Sequence, residues 1–515
     1  MQRLVCSGLL AIATITTATL VTPSNVLAAA PSAYQPDYQQ GEAWLDYRLA
    51  STTPGTHARN LILFLGDGMS ITTLTAARIL QGQQQGFTGE ENFLSFERFP
   101  YSGLVKTYNT NQQTPDSAGT MSAIMTGVKT RAGVLSVGPE QDRAICQGSN
   151  THSLTTLLEY ASQQGFATGV VTTARITHAT PAATYAHTPE RDWEADSDLS
   201  DEARQQGCKD IADQLINNGF ANGLDLALGG GRQNFLPASQ GGKRLDTDLT
   251  RQFKHQYPNG QLLLSRNDLV SMHARTPILG LFASSHMAYA YDRTPAEPSL
   301  TEMTFAALQV LQQQTQNTDK GYVLIIEGAR IDHAHHAGNA YRALTDTIAM
   351  ADAVAFADRM TNDHDTLIMV TADHSHTLSF SGYPQRGNDI LGLVRQPDKL
   401  SRAADNAPYT TLGYANGLGA NDIDPVTAND SGQTHGRING RIHWHDDENT
   451  TDPDFHQASL GHKESETHGS DDVAVHAKGP GSQWFRGLLE QNSLFHLASR
   501  ALHLTTQAPT ATEGN

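Results

Sequence analysis

The stretch NLILFLGDG occupies residues 60–68. Five apolar residues follow Asn60 with no helical period, and Gly66-Asp67-Gly68 stops them. A short continuous apolar run closed by turn residues is the pattern of a strand buried on both faces. It recurs at Thr168–Thr173 (TGVVTT), Leu224–Leu228, Ile278–Phe282, Tyr322–Ile326 (YVLII) and Thr366–Thr371 (TLIMVT). Apolar-periodic segments such as Ser153–Gln163 and Thr301–Gln313 lie between some of these runs. The alternation predicts an α/β fold, with a central, mostly parallel sheet flanked by helices on both faces. From about Pro384 to Lys463 the texture changes to Gly, Asn, Asp and His. That change predicts a loop-rich insertion subdomain. LGGGRQNF, at Leu228–Phe235, lacks the Lys-Ser/Thr of a phosphate-binding loop and reads as a strand-end turn.

The residues just past the strands carry chemistry. After NLILFL comes Asp67, and after TGVVTT come His178 and Thr180. After YVLII come Glu327 and Asp332, and after TLIMVT come Asp373 and His374. Open α/β sheets bind ligands at the carboxyl ends of their strands, so four such placements predict a single site. Asp332 and His336, in IDHAHHAG, are spaced i, i+4 and share one face of a helical turn. A carboxylate with an imidazole suits Zn²⁺. Asp373 and His374 reach one ion only where the chain turns. Asp67 between two glycines allows the backbone to approach a cation closely. Glu327 and Thr180 are hard oxygen donors, better suited to Mg²⁺. His468, in SETHGSDD, is the remaining candidate imidazole. Taken singly, Asp-x-x-x-His is also a solvated surface pair and Gly-Asp-Gly an ordinary turn.

TPDSAGTMSAIMTGVKT runs from Thr114 to Thr130. Asp116 is a good N-cap, Ala118–Met125 are small or helix-compatible, and Gly127 sits where a helix stops. Ser117 therefore falls in the first turn of a helix, where N–H dipoles favour an anion. Alone, this stretch reads equally as an ordinary cap.

The first 30 residues carry Arg3, an apolar stretch from Leu4 to Val21, and the small residues Ala28–Ala30. They form a signal peptide, with the mature chain starting near Ala29 or Pro31. Cys6 is far from the cleavage site, which argues against a lipid anchor. No later stretch approaches the roughly 20 apolar residues of a membrane span. Export removes one of three cysteines and leaves Cys146 and Cys208. They allow one disulfide, or two buried free thiols. The formal charge of −18 argues against nucleic acid or an anionic membrane as partner.

Gly66-Asp67-Gly68-Met69, Asp116-Ser117-Ala118, Thr173–Pro181, Glu327–His336, Thr371–His376 and Glu466–Gly469 together resemble the alkaline phosphatase family. The resemblance runs from about Asn60 to Pro480, with the motifs in family order. VTTARITHATP, IEGARIDHAHH and the two cysteines are similar to the animal-type branch. In the enteric bacterial branch the position of His178 is Asp and that of His333 is Lys. The resemblance implies a periplasmic or secreted homodimer whose substrates are small phosphate monoesters. It also implies one catalytic domain over residues 31–515, interrupted by the insertion at 384–463.

The implied roles fall residue by residue. Ser117 is the nucleophile and becomes phosphoserine. One Zn²⁺ takes Asp332, His336 and His468. A second takes Asp67, Asp373 and His374, adjoining Ser117. One Mg²⁺ takes Asp67, Thr180 and Glu327, with His178 in or next to its shell. His333 touches phosphate through water, and Arg191, in HTPERDW, grips the phosphate oxygens. The chemistry is consistent, since a metal lowers a hydroxyl pKa and phosphoryl transfer asks for positioning and charge neutralisation. Ser117 lies in P-D-S-A-G, not the G-x-S-x-G of a nucleophile elbow. A phosphodiesterase or sulfatase of the same superfamily is the enzymatic alternative. A non-catalytic zinc-binding export protein would lack the nucleophile or the arginine, and both are present.

Overall fold

A computed structural model describes residues 55–506, apart from 405, 421–441 and 443. The signal segment 1–30, the middle of the insertion and the tail from Gln507 lie outside the described residues. Ten strands form one sheet: β1 (Asn60–Gly66), β2 (Tyr101–Lys106), β3 (Ala167–Arg175), β4 (Leu226–Gly230), β5 (Gln261–Leu263), β6 (Ile278–Leu281), β7 (Tyr322–Gly328), β8 (Thr366–Ala372), β9 (Val473–Lys478) and β10 (Gly487–Glu490). Their spatial order is β10-β2-β9-β8-β1-β7-β3-β4-β6-β5. β9 runs antiparallel to both its neighbours, and every other adjacent pair is parallel.

The six strands read from apolar runs are all present. β1, β7 and β8 are buried at every residue, as continuous apolar runs require when both faces are covered. The cover comes from two sets of helices. One holds α1 (Ile71–Gln84), α4 (Leu300–Thr315), α5 (Arg330–His336) and α6 (Ala340–Met360). The other holds α2 (Ser117–Thr126), α3 (Leu157–Gln163) and α7 (Ser493–Ala501). α3 begins later than the apolar period from Ser153 suggests, because Thr156 forms a capping box there. Its hydroxyl accepts the Glu159 N–H at 3.2 Å, and the Glu159 carboxylate accepts the Thr156 N–H at 2.8 Å. α2 is capped as read: Asp116 Oδ1 accepts the Gly119 N–H at 3.1 Å, and Gly127 ends the helix at φ +75°.

The described part of the 384–463 region contributes two strands to a small second sheet. Leu412–Gly417 lies between Leu378–Phe380 and Ser459–His462. It is tied back to α5 by the Tyr414 hydroxyl, 2.8 Å from His335 Nδ1. Asn416 Nδ2 donates to the Thr467 hydroxyl at 3.0 Å, and Asn416 Oδ1 accepts the Thr467 backbone N–H at 3.1 Å.

Cys146 and Cys208 are joined in a disulfide. The bridge closes a loop with a sequence separation of 62, and that loop contains His178, Thr180 and Arg191. The chain-entropy model gives about 4 kcal/mol for a loop of this size. Replacing both cysteines with serine is expected to lower the unfolding free energy by up to that amount in a denaturant titration. Phosphate affinity should weaken at denaturant concentrations below the global transition. Mass mapping that finds two free thiols in the oxidised wild type would contradict the pairing.

Candidate active site

β8, β1, β7 and β3 are consecutive neighbours in the sheet. Their registers align the ends, with Gly66 opposite both Gly328 and Ala372, and Thr172 opposite Glu327. Residues at or just past these ends therefore converge. Gly68 has φ +65°, and a Cβ there would lie 2.4 Å from the His376 ring. Glycine is thus required for the turn that carries Asp67 out of β1. The turn after β8 is held by Asp373 Oδ1, which accepts the N–H groups of Gly68 at 3.1 Å and His374 at 3.0 Å.

Three donor sets meet at this edge. In the first, Asp332 and His336 project from α5, and His468 comes from the short strand His468–Gly469. The Nδ1–H of His336 donates to the Glu466 carbonyl at 2.5 Å, and that of His468 to the Pro115 carbonyl at 2.8 Å. Those bonds fix the tautomers, so each Nε2 presents a lone pair. The two Nε2 atoms lie 3.0 Å apart, and 3.3 and 3.4 Å from Asp332 Oδ1. Three lone-pair atoms converge with no hydrogen to share, the arrangement of a metal-ligand set oriented by carbonyls behind it. His376 joins the group through Nε2, 2.7 Å from Asp332 Oδ1.

In the second set, His374 Nε2 lies 3.3 Å from Asp67 Oδ1 and 3.5 Å from Asp373 Oδ2. Ser117 Oγ is 3.2 Å from the same nitrogen and 3.4 Å from Asp67 Oδ1. The third set brings Asp67, His178 and Glu327 together, with ligand atoms within 4.8 Å of one another. Thr180 lies two residues after His178. Asp67 Oδ2, His178 Nδ1, Thr180 Oγ1 and Glu327 Oε1 are buried without a hydrogen-bond partner among the described residues. Buried polar atoms are nearly always partnered, so four orphans from the residues of one set fit a bound cation. The first set, with two imidazoles, suits Zn²⁺, and the third, with two carboxylates and the Thr180 hydroxyl beside one imidazole, is the richest in the oxygen donors that Mg²⁺ takes.

The electrostatics agree. Burial raises Glu327 to about 8, and the charges of Asp373 and Asp332 add to it. Burial likewise raises Asp67 and Asp373, with repulsion from neighbouring carboxylates. Burial also works against charge on Asp332, but the hydrogen-bonded ion pair with His376 holds it well below the usual range. Burial opposes charge on His376, yet its hydrogen bonds to Asp332 and Glu466 push it up to about 9.

Arg191 does not pair with its sequence neighbours. Arg143 takes Glu190 and Asp192, and Arg175, Thr177 and Asn234 take Glu194. Arg191 Nη1 donates instead to Asp116 Oδ2 at 3.0 Å, and its Nη2 lies 3.3 Å from His178 Nε2. His333 stands beside His178 and His286, with ring centroids 5.4 and 4.1 Å away. Every residue singled out in the sequence thus lies in or beside one cluster.

The sequence reading missed several partners. His376 stands two residues after His374, and Glu466 two before His468, spacings that could have flagged both. His286, in SSHMA, carries no such signal. The partnership of Asp116 with Arg191 joins residues 75 apart in sequence.

A family model described as alkaline phosphatase matches residues 58–504. The tissue-nonspecific isozyme of alkaline phosphatase from Homo sapiens is 38% identical over 481 residues, covering 90% of this chain and 87% of the relative. A membrane-bound alkaline phosphatase from Bombyx mori is 40% identical over 461 residues, covering 85% of this chain and 79% of its own length. The solved alkaline phosphatase of Thermus thermophilus has a TM-score of 0.61 at 24% identity, over 88% of this chain and 93% of that one, a likeness of fold. This chain belongs to the alkaline phosphatase family and is a phosphate-monoester hydrolase.

Proposed function

We propose that phosphate monoesters are cleaved in two steps through a phosphoserine at Ser117. The observation that carries this reading is the position of the Ser117 hydroxyl, at the start of α2 and between Asp67 and His374. Asp332, His336 and His468 would hold one Zn²⁺, and Asp67, Asp373 and His374 a second. Asp67, Thr180 and Glu327, with His178, would hold Mg²⁺. When bound, these cations supply the lowered hydroxyl pKa and the neutralisation of attacking and leaving oxygens.

The chain's own residues supply the rest. The first turn of α2 aims free N–H groups at the phosphoryl group. Arg191 offers a planar fork to two phosphate oxygens, with one side braced by Asp116. His333 faces the same space and reaches phosphate through water. Residues 31–515 act as one catalytic domain, with the 384–463 insertion beside the mouth. Phe380, Tyr383 and Leu460 are exposed on and beside it, Tyr383 by 88%. These exposed apolar side chains support a homodimer contact there. The signal segment and the disulfide support a periplasmic or secreted enzyme. Among the described residues no helix is long and apolar enough to cross a membrane.

The test is phosphate release from an aryl phosphate, with the aryl diester and aryl sulfate alongside. The monoester is expected to be turned over far faster, and faster turnover of either rival would replace this reading. Ser117→Ala should lose the trapped phosphoenzyme and most turnover, while labelled phosphate remaining on that variant would remove Ser117 from its role. Prolonged chelation should abolish activity, Zn²⁺ with Mg²⁺ should restore it, and elemental analysis should find close to two zincs per chain. Full activity in zinc-free protein would end the metal assignment.

Arg191→Ala is expected to raise KM and the inhibition constant for inorganic phosphate together. Charged hydrogen bonds are worth roughly 1.5–3 kcal/mol, so kcat/KM should fall about ten- to a hundredfold. The fall in kcat should be smaller, because binding is lost for substrate, product and transition state alike. An unchanged phosphate inhibition constant in the folded variant would make Arg191 a purely structural partner of Asp116.

A further inference from the structure

Glu466 belongs to none of the three donor sets, yet its hydrogen bonds converge on the first of them. Its Oε2 accepts the Nδ1–H of His376 at 2.6 Å, and the other nitrogen of that ring lies 2.7 Å from Asp332 Oδ1. Its Oε1 accepts the backbone N–H of Thr377 at 2.7 Å and the Thr377 hydroxyl as well. Its carbonyl takes the Nδ1–H of His336 at 2.5 Å, and its own N–H donates to the His336 carbonyl at 2.8 Å. Glu466 and His376 are each 1% exposed. Among the described residues no lysine or arginine pairs with Glu466, and His376 is its ion-pair partner. A buried carboxylate is costly unless fully hydrogen-bonded. Here Oε1 is satisfied by Thr377, Oε2 by the His376 ring that leads to the Asp332 ligand atom, and the backbone carbonyl by the ring that carries the His336 ligand atom.

We propose that Glu466 is a positioning residue for the Asp332–His336–His468 metal set. Its carboxylate fixes Asp332 through His376, and its carbonyl fixes the His336 tautomer that turns Nε2 toward the ion. The inference rests on the zinc assignment above. Partners of this kind, behind the ligands, typically change metal affinity by about 10–100-fold. Glu466→Gln keeps the shape and the carbonyl but removes the charge facing His376.

The experiment tracks zinc release from the full-length, zinc-loaded protein into a chelator read by a zinc-sensitive dye. In Glu466→Gln one of the two zinc equivalents is expected to leave about 10–100-fold faster than in wild type. The other should keep nearly its wild-type rate. Activity at limiting zinc should fall, and excess zinc should restore it. A merely structural role would speed both releases together, lower the melting temperature, and resist rescue by zinc. The carboxylate acts through the imidazole, so adding Glu466→Gln to His376→Gln should change the release rate no further. Additive effects, or wild-type release from a folded Glu466→Gln protein, would overturn the proposal. If Glu466→Gln does not fold, His376→Gln alone breaks the same link and must show the same selective loss. Wild-type protein that holds no zinc would remove the metal assignment itself. Zinc-bearing wild type with an unaltered variant would remove only the role of Glu466.

Discussion

The crowding of like charge at one sheet edge governs this structure. Asp67, Glu327, Asp332 and Asp373 are no more than 4% exposed, and they lie close enough to raise one another's pKa. Carboxylates in a water-poor site repel strongly, and burying them without compensation costs far more than one domain's net stability. The fold meets that constraint with partners aimed at the same space. His376 pairs with Asp332, backbone N–H groups serve Asp373, and the orphan atoms of the third set fit a cation. The chemistry of phosphate transfer arises from the same crowding, because a centre built to hold cations also suits a dianionic substrate.

The strand ends were legible for a physical reason. A strand buried on both faces must be apolar along its length, so β1, β3, β7 and β8 stand out from any polar background. A ligand site at their carboxyl ends then requires polar residues immediately afterwards. Asp67, Glu327 and Asp373-His374 are therefore readable as interruptions of an apolar run. The spacing of Asp332 and His336 was readable because α5 repeats with the helical period. Ser117 was readable from its cap and its Gly127 stop, although its purpose needed the rest of the site.

What stayed hidden depends on separation in sequence. β2, β9 and β10 lie toward one edge of the sheet. β9 alternates buried and half-buried residues, β2 has Val105 as its one buried position, and two of the β10 positions are open to solvent, so none presents a long apolar run. Glu466 and His376 are 90 residues apart, yet 2.6 Å separates their atoms. His286 reaches the cluster from a loop after β6 with no acid or second histidine beside it. Local pattern encodes which residues leave a strand end, whereas topology decides which strand ends are neighbours.

Ser117 and Arg191 are both placed by a single carboxylate. Asp116 Oδ1 caps α2 through the Gly119 N–H and accepts the Asn109 amide at 3.0 Å. Its Oδ2 accepts Arg191 at 3.0 Å and the Gly133 N–H at 2.9 Å. Burial opposes charge on Asp116, but Arg191 and these N–H groups hold its pKa below the usual range. The residue before Ser117 therefore fixes both the helix start that presents the hydroxyl and the Arg191 guanidinium. Arg191 arrives inside the loop closed by Cys146 and Cys208, while His468 arrives beyond the insertion and is held by the Pro115 carbonyl. Ser117 stands where these two arms meet, and Pro115 and Asp116 bind one arm each. Because among the described residues Ser117 Oγ makes only long contacts of 3.2 and 3.4 Å, its placement rests on the backbone of α2. The same looseness leaves the hydroxyl able to turn without first breaking a strong hydrogen bond.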